Sequence, residues 1–187
     1  MAQPISRRAV VKQGLGLGVT LSVAPALVRG QDSPASLRPK EGDLLIKVDD
    51  AALTPLTPAD IAIGAVQVMA WGMDPADKTV RSGSRLNRVL LLRLDESTLK
   101  PDTRARAAGG VVAYTAICTH TGCDVTDWSP EGMLYCPCHF TKYDPKDGAA
   151  VVDGPAPRPL PALPLKIVNG TLTVAAPFTA RVAFEQG

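Results

Sequence analysis

All four cysteines and both histidines of the chain lie in two short loops, Cys118-Thr119-His120-Thr121-Gly122-Cys123 and Cys136-Pro137-Cys138-His139-Phe140-Thr141. Read as ligands, the loops are two matching arms. Each offers one Cys and one His, spaced C-x-H in the first and C-x-x-H in the second, and each carries one further Cys, at 123 and 138. Any fold for this chain must bring the arms together. A Cys/His quartet is the usual make-up of a structural zinc site. Zinc, however, leaves two thiols unexplained, and C-x-H is an unusual zinc arm. A small domain held only by disulfides would not need the histidines.

The run C-T-H-T-G-C followed by C-P-C-H resembles the Rieske iron–sulfur proteins of quinol-oxidising cytochrome complexes and their bacterial relatives. In that arrangement two thiolates hold one iron of a [2Fe-2S] cluster and two imidazoles hold the other. The resemblance implies Cys118 and Cys136 on the inner iron, His120 and His139 on the outer iron, and a Cys123–Cys138 disulfide tying the loops together. It also implies one Rieske [2Fe-2S] cluster per chain.

The chain carries 20 basic and 18 acidic residues, a formal net charge of +2. Arg7, Arg8 and Lys12 lie in an N-terminal stretch without acids, so the remaining body holds 17 basic against 18 acidic residues. A near-neutral body has no electrostatic footprint for nucleic acid. It suits docking to a redox partner through a local patch.

Ser6-Arg7-Arg8-Ala9-Val10-Val11-Lys12 resembles the twin-arginine export signal, with Val10 and Val11 where larger apolar residues are usual. A Gly-rich apolar run to Val28 follows, and Ala24-Pro25-Ala26 is an A-x-A-like cleavage site. The expected organisation is therefore residues 1–28 as signal or signal-anchor, 29–43 as linker and 44–187 as the Rieske domain, with the cluster-binding part at about 115–160. Residues 9–28 are the one candidate membrane anchor, and cleaved versus anchored stays open. Export places the protein on the periplasmic side of a bacterial inner membrane, an oxidising compartment that suits a disulfide.

Strands are expected at residues 44–48, 65–71, 88–94, 111–117, 133–135 and 151–152. A closing hairpin is expected from Leu163 to Val174 around Asn169-Gly170. The run 88–94 is apolar throughout and should be buried on both faces. Residues 95–109 read as a surface insertion of loop and short helix, entered at Pro101, its arginines solvated. Strands 111–117 and 133–135 deliver the chain to Cys118 and Cys136, as two ligand loops projecting from neighbouring strands. The fold class is all-β, a Rieske-like antiparallel sandwich or barrel with a cluster-binding subdomain at its tip.

Imidazole ligands raise the potential to about −150 to +300 mV, against about −400 mV for plant-type ferredoxins. By the resemblance, Thr141 stands where a Ser donates to a bridging sulfide, and Tyr143 where a Tyr donates to the sulfur of the first ligand Cys, here Cys118. The Gly154-Pro155-Ala156-Pro157 loop stands where a Gly-Pro-rich lid covers the cluster, and proline stiffens such a lid. His139 is the residue placed to meet quinol. Phe140 departs from the pattern, because the quinol-oxidising family has Gly there. An aromatic after C-P-C-H resembles the small Rieske subunit of arsenite oxidase instead.

The implied function is electron transfer by a high-potential subunit of a larger oxidoreductase, not catalytic alone. The quinol–cytochrome c reductase type leads, with a b-type cytochrome, a c-type cytochrome and quinol as partners. The alternatives are the small subunit of a molybdenum enzyme such as arsenite oxidase, beside a molybdopterin subunit, and the Rieske ferredoxin of an oxygenase system. A terminal oxygenase is disfavoured, because its mononuclear iron needs further histidines and none is left.

Overall fold

The computed structural model describes residues 33–183; the expected signal, cleavage site and anchor lie outside them. Among the described residues ten strands form two antiparallel sheets. The first six-stranded sheet runs in the order β4-β3-β2-β1-β10-β9, from β1 (Leu44–Lys47), β2 (Val68–Met73), β3 (Val89–Arg93), β4 (Val111–Thr115), β9 (Leu165–Val168) and β10 (Thr171–Val174). The second runs β5-β6-β7-β8, from β5 (Asp127–Trp128), β6 (Leu134–Cys136), β7 (Thr141–Asp144) and β8 (Ala150–Asp153). The expected all-β class is what the chain adopts. Among the described residues no helix is long and apolar enough to cross a membrane.

The six-stranded sheet curls until its ends meet. Residues 161–163, which lead into β9, hydrogen-bond to β4: Thr115 N–H donates to the Pro161 carbonyl at 3.0 Å and Leu163 N–H to that of Ala113 at 2.9 Å. β3 and β4 are the wall between two cores. With a period of two, successive side chains alternate faces. Val89, Leu91, Val111 and Ala113 therefore pack inside the curl with Leu45, Leu163, Leu172 and Val174. Leu90, Leu92, Val112 and Tyr114 face the other way, onto Leu134, Cys136, Tyr143 and Leu160 of the smaller sheet's core. The apolar run at 88–94 is thus buried on both faces as expected. Tyr114 clamps the two parts together, its buried hydroxyl donating to the Pro145 carbonyl at 2.8 Å.

The cluster-loop region is an excursion from the end of β4 to residue 160, after which the chain returns to β4's edge. The closing hairpin forms as expected: Asn169 and Gly170 have φ of 50° and 82°, the left-handed pair that a two-residue turn demands.

Three expectations need correction. Residues 34–43 are no tether, because the body fixes them by specific bonds. Arg81 donates two bonds to the buried Asp43 carboxylate, at 3.1 and 3.2 Å, and another to the Pro34 carbonyl. The Asn87 amide donates to the carbonyl of Leu37 at 2.8 Å. The insertion's helix, α1 (Pro101–Arg104), stops early, and Arg104 is not merely solvated: its guanidinium donates to the carbonyls of Glu96 and Leu99. Finally, the strands that carry the two ligand loops are not neighbours, since β4 belongs to one sheet and β6 to the other.

Candidate metal centre

The first loop leaves β4 and folds back on itself. Cys118 N–H donates to the Cys123 carbonyl at 2.8 Å and Gly122 N–H to the Cys118 carbonyl at 3.1 Å. Arg85 reaches over from another part of the chain and donates to the Gly122 carbonyl at 2.8 Å. The second loop is the tip of the β6–β7 hairpin. Cys136 and Thr141 are paired residues, so Pro137-Cys138-His139-Phe140 make the turn. Phe140 adopts φ 63° there. This is the left-handed conformation that glycine takes without steric cost and that costs other residues about 1–2 kcal/mol. The turn geometry is thus the physical reason for a glycine at this place. Here the aromatic ring lies exposed and stacks on Tyr135, ring centres 6.3 Å apart.

Cys123 and Cys138 form a disulfide between the loops, with Cα atoms 6.5 Å apart. Cys118 and Cys136 remain free and buried. Burial pushes the Cys136 thiol up to about 11, and the adjacent Cys118 adds to the effect. A buried thiol shifted in this way ionises when a cation replaces its proton. On the outer side the His120 and His139 rings meet edge to face, centres 4.5 Å apart. His120 Nδ1 is buried and has no hydrogen-bond partner. A buried ring nitrogen left unpaired is costly unless something binds it.

The donor set therefore divides into two thiols on the buried side and two imidazoles on the outer side. Among the described residues no three His, Cys, Asp or Glu converge on a single point. One tetrahedral zinc wants four donors at one point. A two-iron cluster wants two protein donors at each end, and the residues present fit that.

β7 supplies the hydroxyls. Its burial alternates, so Thr141 and Tyr143 point inward side by side. Tyr143 Oη lies 3.1 Å from Cys118 Sγ and 3.3 Å from the Thr119 backbone nitrogen. The Thr119 N–H donates to the phenol oxygen, and the phenol's own hydrogen has Cys118 sulfur and, at 3.4 Å, Thr119 Oγ1 as acceptors within reach. Burial raises the Tyr143 pKa, with the bond to Cys118 second, so this phenol stays a donor. Thr141 Oγ1 is buried without a hydrogen-bond partner, a second orphaned polar atom beside the site.

The proline loop passes directly over the hairpin. Gly154 has φ 95°, and a Cβ there would lie 2.5 Å from Thr141 Cα. Only glycine fits this close approach. Ala156 is buried between Pro155 and Pro157, both exposed. Thr119 Oγ1 donates to the Arg158 carbonyl at 2.6 Å and so ties this loop to the first arm. The sequence reading missed the part played by Thr119, whose hydroxyl and amide link both arms with the lid. The signal available was only a hydroxyl residue between Cys118 and His120.

Comparison with known proteins agrees with this geometry. The family model for the Rieske [2Fe-2S] domain matches residues 76–164. A Rieske subunit of a respiratory nitrate reductase from Haloferax mediterranei is 41% identical over 96 residues, 51% of this chain and 43% of that protein. The cytochrome bc1 complex Rieske iron–sulfur subunit of Streptomyces lividans is 32% identical over 126 residues, covering 66% of this chain and 73% of the relative. Against the Streptomyces coelicolor subunit of the same description the chain spans only 35% of the relative's length. Among solved structures, the soluble domain of Rieske protein II from Sulfolobus acidocaldarius aligns with 54% of this chain and 66% of its own, at 26% identity and a TM-score of 0.41. The chain belongs to the Rieske [2Fe-2S] family, and a Rieske [2Fe-2S] cluster is its cofactor.

Proposed function

We propose that Cys118 and Cys136 hold the inner iron, that His120 and His139 hold the outer iron, and that the chain passes electrons within a periplasm-facing respiratory complex of the quinol–cytochrome c reductase type. The observation that carries this reading is the division of donors into a buried thiol pair and an outer imidazole pair, with the Cys123–Cys138 disulfide between the loops. The cluster supplies one-electron chemistry at a potential that its ligands and hydrogen bonds set.

The chain's own residues do the rest. The apolar core around Leu134 and Leu160 keeps water from the thiol side. Tyr143 Oη lies within hydrogen-bond reach of Cys118 sulfur, and Thr141 Oγ1 is buried without a partner beside Gly154 of the proline loop. Donors toward negative sulfur favour the reduced state and raise the potential. His139 is exposed at the tip, where a donor or acceptor can reach it. The proline loop, fixed through Gly154 and Thr119, keeps the third side closed.

Respiratory relatives named as bc1 subunits support the assignment to that type. Residues 6–12, read as an export signal, and the disulfide support the periplasmic placement. Partners in this reading are a b-type cytochrome, a c-type cytochrome and quinol. A second reading is favoured by two observations: Phe140 stands exposed where quinol would approach His139, and the Haloferax relative is named as a nitrate reductase subunit. In that reading the chain serves the large subunit of a different respiratory reductase, such as a molybdopterin subunit.

Potentiometric titration of the full, cluster-loaded protein at several pH values tests the function. A positive potential that falls as pH rises above neutrality is the expected result. A potential near the bottom of the Rieske range, with no dependence on pH, would replace the respiratory role with a ferredoxin-like one.

A further inference from the structure

On the flank of the first cluster loop, Arg38, Arg85 and Arg181 line one cleft of about 510 Å³. Leu86, Val182 and Ser84 also line it. No carboxylate lines it among the described residues. We propose that this cleft binds a phosphate-type oxyanion, free or carried on a lipid headgroup.

Among the described residues the charges of the three guanidiniums are poorly compensated. Arg38 donates to the neutral amide oxygen of Asn87 at 3.0 Å, and desolvation lowers its pKa, the mark of a cation short of a counter-charge. Arg85 has one acidic neighbour, Asp124, at 3.2 Å, and Arg88 draws on the other oxygen of that carboxylate at 3.2 Å. Arg181 makes no side-chain hydrogen bond or ion pair to any described residue and is exposed. Like charges gathered around a concave surface raise the local anion concentration. A guanidinium presents a planar fork of donors that matches phosphate oxygens.

Two of the three groups are held in advance. Arg85 is anchored by its bond to the Gly122 carbonyl, and Arg38 by Asn87, whose amide is buried among the carbonyls of Leu37 and Arg81. Preorganised donors lower the entropy lost on binding. The apolar lining of Leu86 and Val182 suits the carbon atoms next to an esterified phosphate, so lipid and free anion share one recognition chemistry.

The test uses the full chain with its cluster, at low ionic strength. Inorganic phosphate is titrated by calorimetry, and co-sedimentation is measured with vesicles of phosphatidylglycerol and of phosphatidylcholine. Saturable binding of phosphate, of the phosphatidylglycerol vesicles, or of both is expected, and which of them bind assigns the source. Arg181→Gln should weaken that binding about tenfold, the equivalent of one charge-assisted hydrogen bond. Lys146→Gln, an exposed lysine outside the cleft, should leave it unchanged. Arg181's side chain bonds to none of the described residues, so this variant should fold; Arg38→Gln is the second variant and should weaken binding likewise. Absence of saturable binding to both phosphate and phosphatidylglycerol, or equal binding by wild type and Arg181→Gln, would overturn the proposal.

Discussion

Tyr143 makes the most consequential single contact at the site. Its oxygen accepts from the Thr119 N–H and lies 3.1 Å from Cys118 sulfur. Hydrogen bonds to charged groups contribute about 1.5–3 kcal/mol. If ~1.4 kcal/mol of this favours the reduced state, Tyr143→Phe lowers the potential by about 60 mV, the one-electron equivalent. Redox titration of the loaded protein checks this, and an unchanged potential would remove Tyr143 from the tuning set. Phe140 is the opposite case, an exposed aromatic in a left-handed turn position. Phe140→Gly relieves about 1–2 kcal/mol of strain and forfeits chain stiffness and the stacking on Tyr135, about 1 kcal/mol each. Its net effect on denaturation should stay within about 1 kcal/mol, whereas truncating a buried aromatic costs about 3–5 kcal/mol. A loss of the larger size would mean that the ring is structural.

At the scale of elements, the site is a hairpin tip, a folded-back loop and a proline loop locked together. Gly154→Ala would drive a Cβ to 2.5 Å from Thr141 Cα at a φ of 95°. It should destabilise the domain by at least about 1–3 kcal/mol, read as a lower urea midpoint. The Cys123–Cys138 bridge closes a loop with a sequence separation of 15. Its removal in Cys138→Ser should cost about 3 kcal/mol, measured by the same unfolding. These elements were unequally legible in the sequence. The two arms, the Asn169-Gly170 hairpin and the doubly buried strand 89–93 follow from spacing and periodicity alone. β7 does not, because Thr141-Lys142-Tyr143-Asp144 puts a polar residue, Thr141, on its buried face. The apolar alternation that marks a strand was therefore masked by the hydroxyls that matter at the site. Nor could the arms be placed on different sheets, since strand pairing is decided by long-range packing such as Tyr114 against Pro145.

For the whole molecule, the buried Asp43–Arg81 pair fastens segment 34–43 to the body of the domain. Arg81 also bonds Asp74 at 3.0 Å, so Asp43→Ala leaves the buried guanidinium with one of its two carboxylate partners. The loss of these buried charge-assisted bonds should cost about 1.5–3 kcal/mol, visible in thermal or chemical unfolding. Segment 34–43 looked like a linker because it mixes prolines with charges of both signs and has no periodicity, and sequence alone could not reveal that Asp43 finds Arg81, 38 residues on. Surface carboxylates add a pH dependence. Backbone amides of Thr54 and Ala52 hold the Asp50 carboxylate below its usual range, and Lys40 does the same for Asp74. A group with a depressed folded-state pKa contributes stability above its unfolded value and loses it as pH falls through the folded value. The domain should hold its stability down to about pH 4 and lose it progressively below that, as unfolding midpoints across an acid series will report.

The central claim is that two imidazoles and two thiols share one cluster. Nitrogen hyperfine spectroscopy of the reduced, loaded protein tests it most directly. The account predicts two nitrogen couplings from histidine ligands, with iron and no stoichiometric zinc. A cluster without nitrogen coupling, or zinc in place of iron, would contradict it.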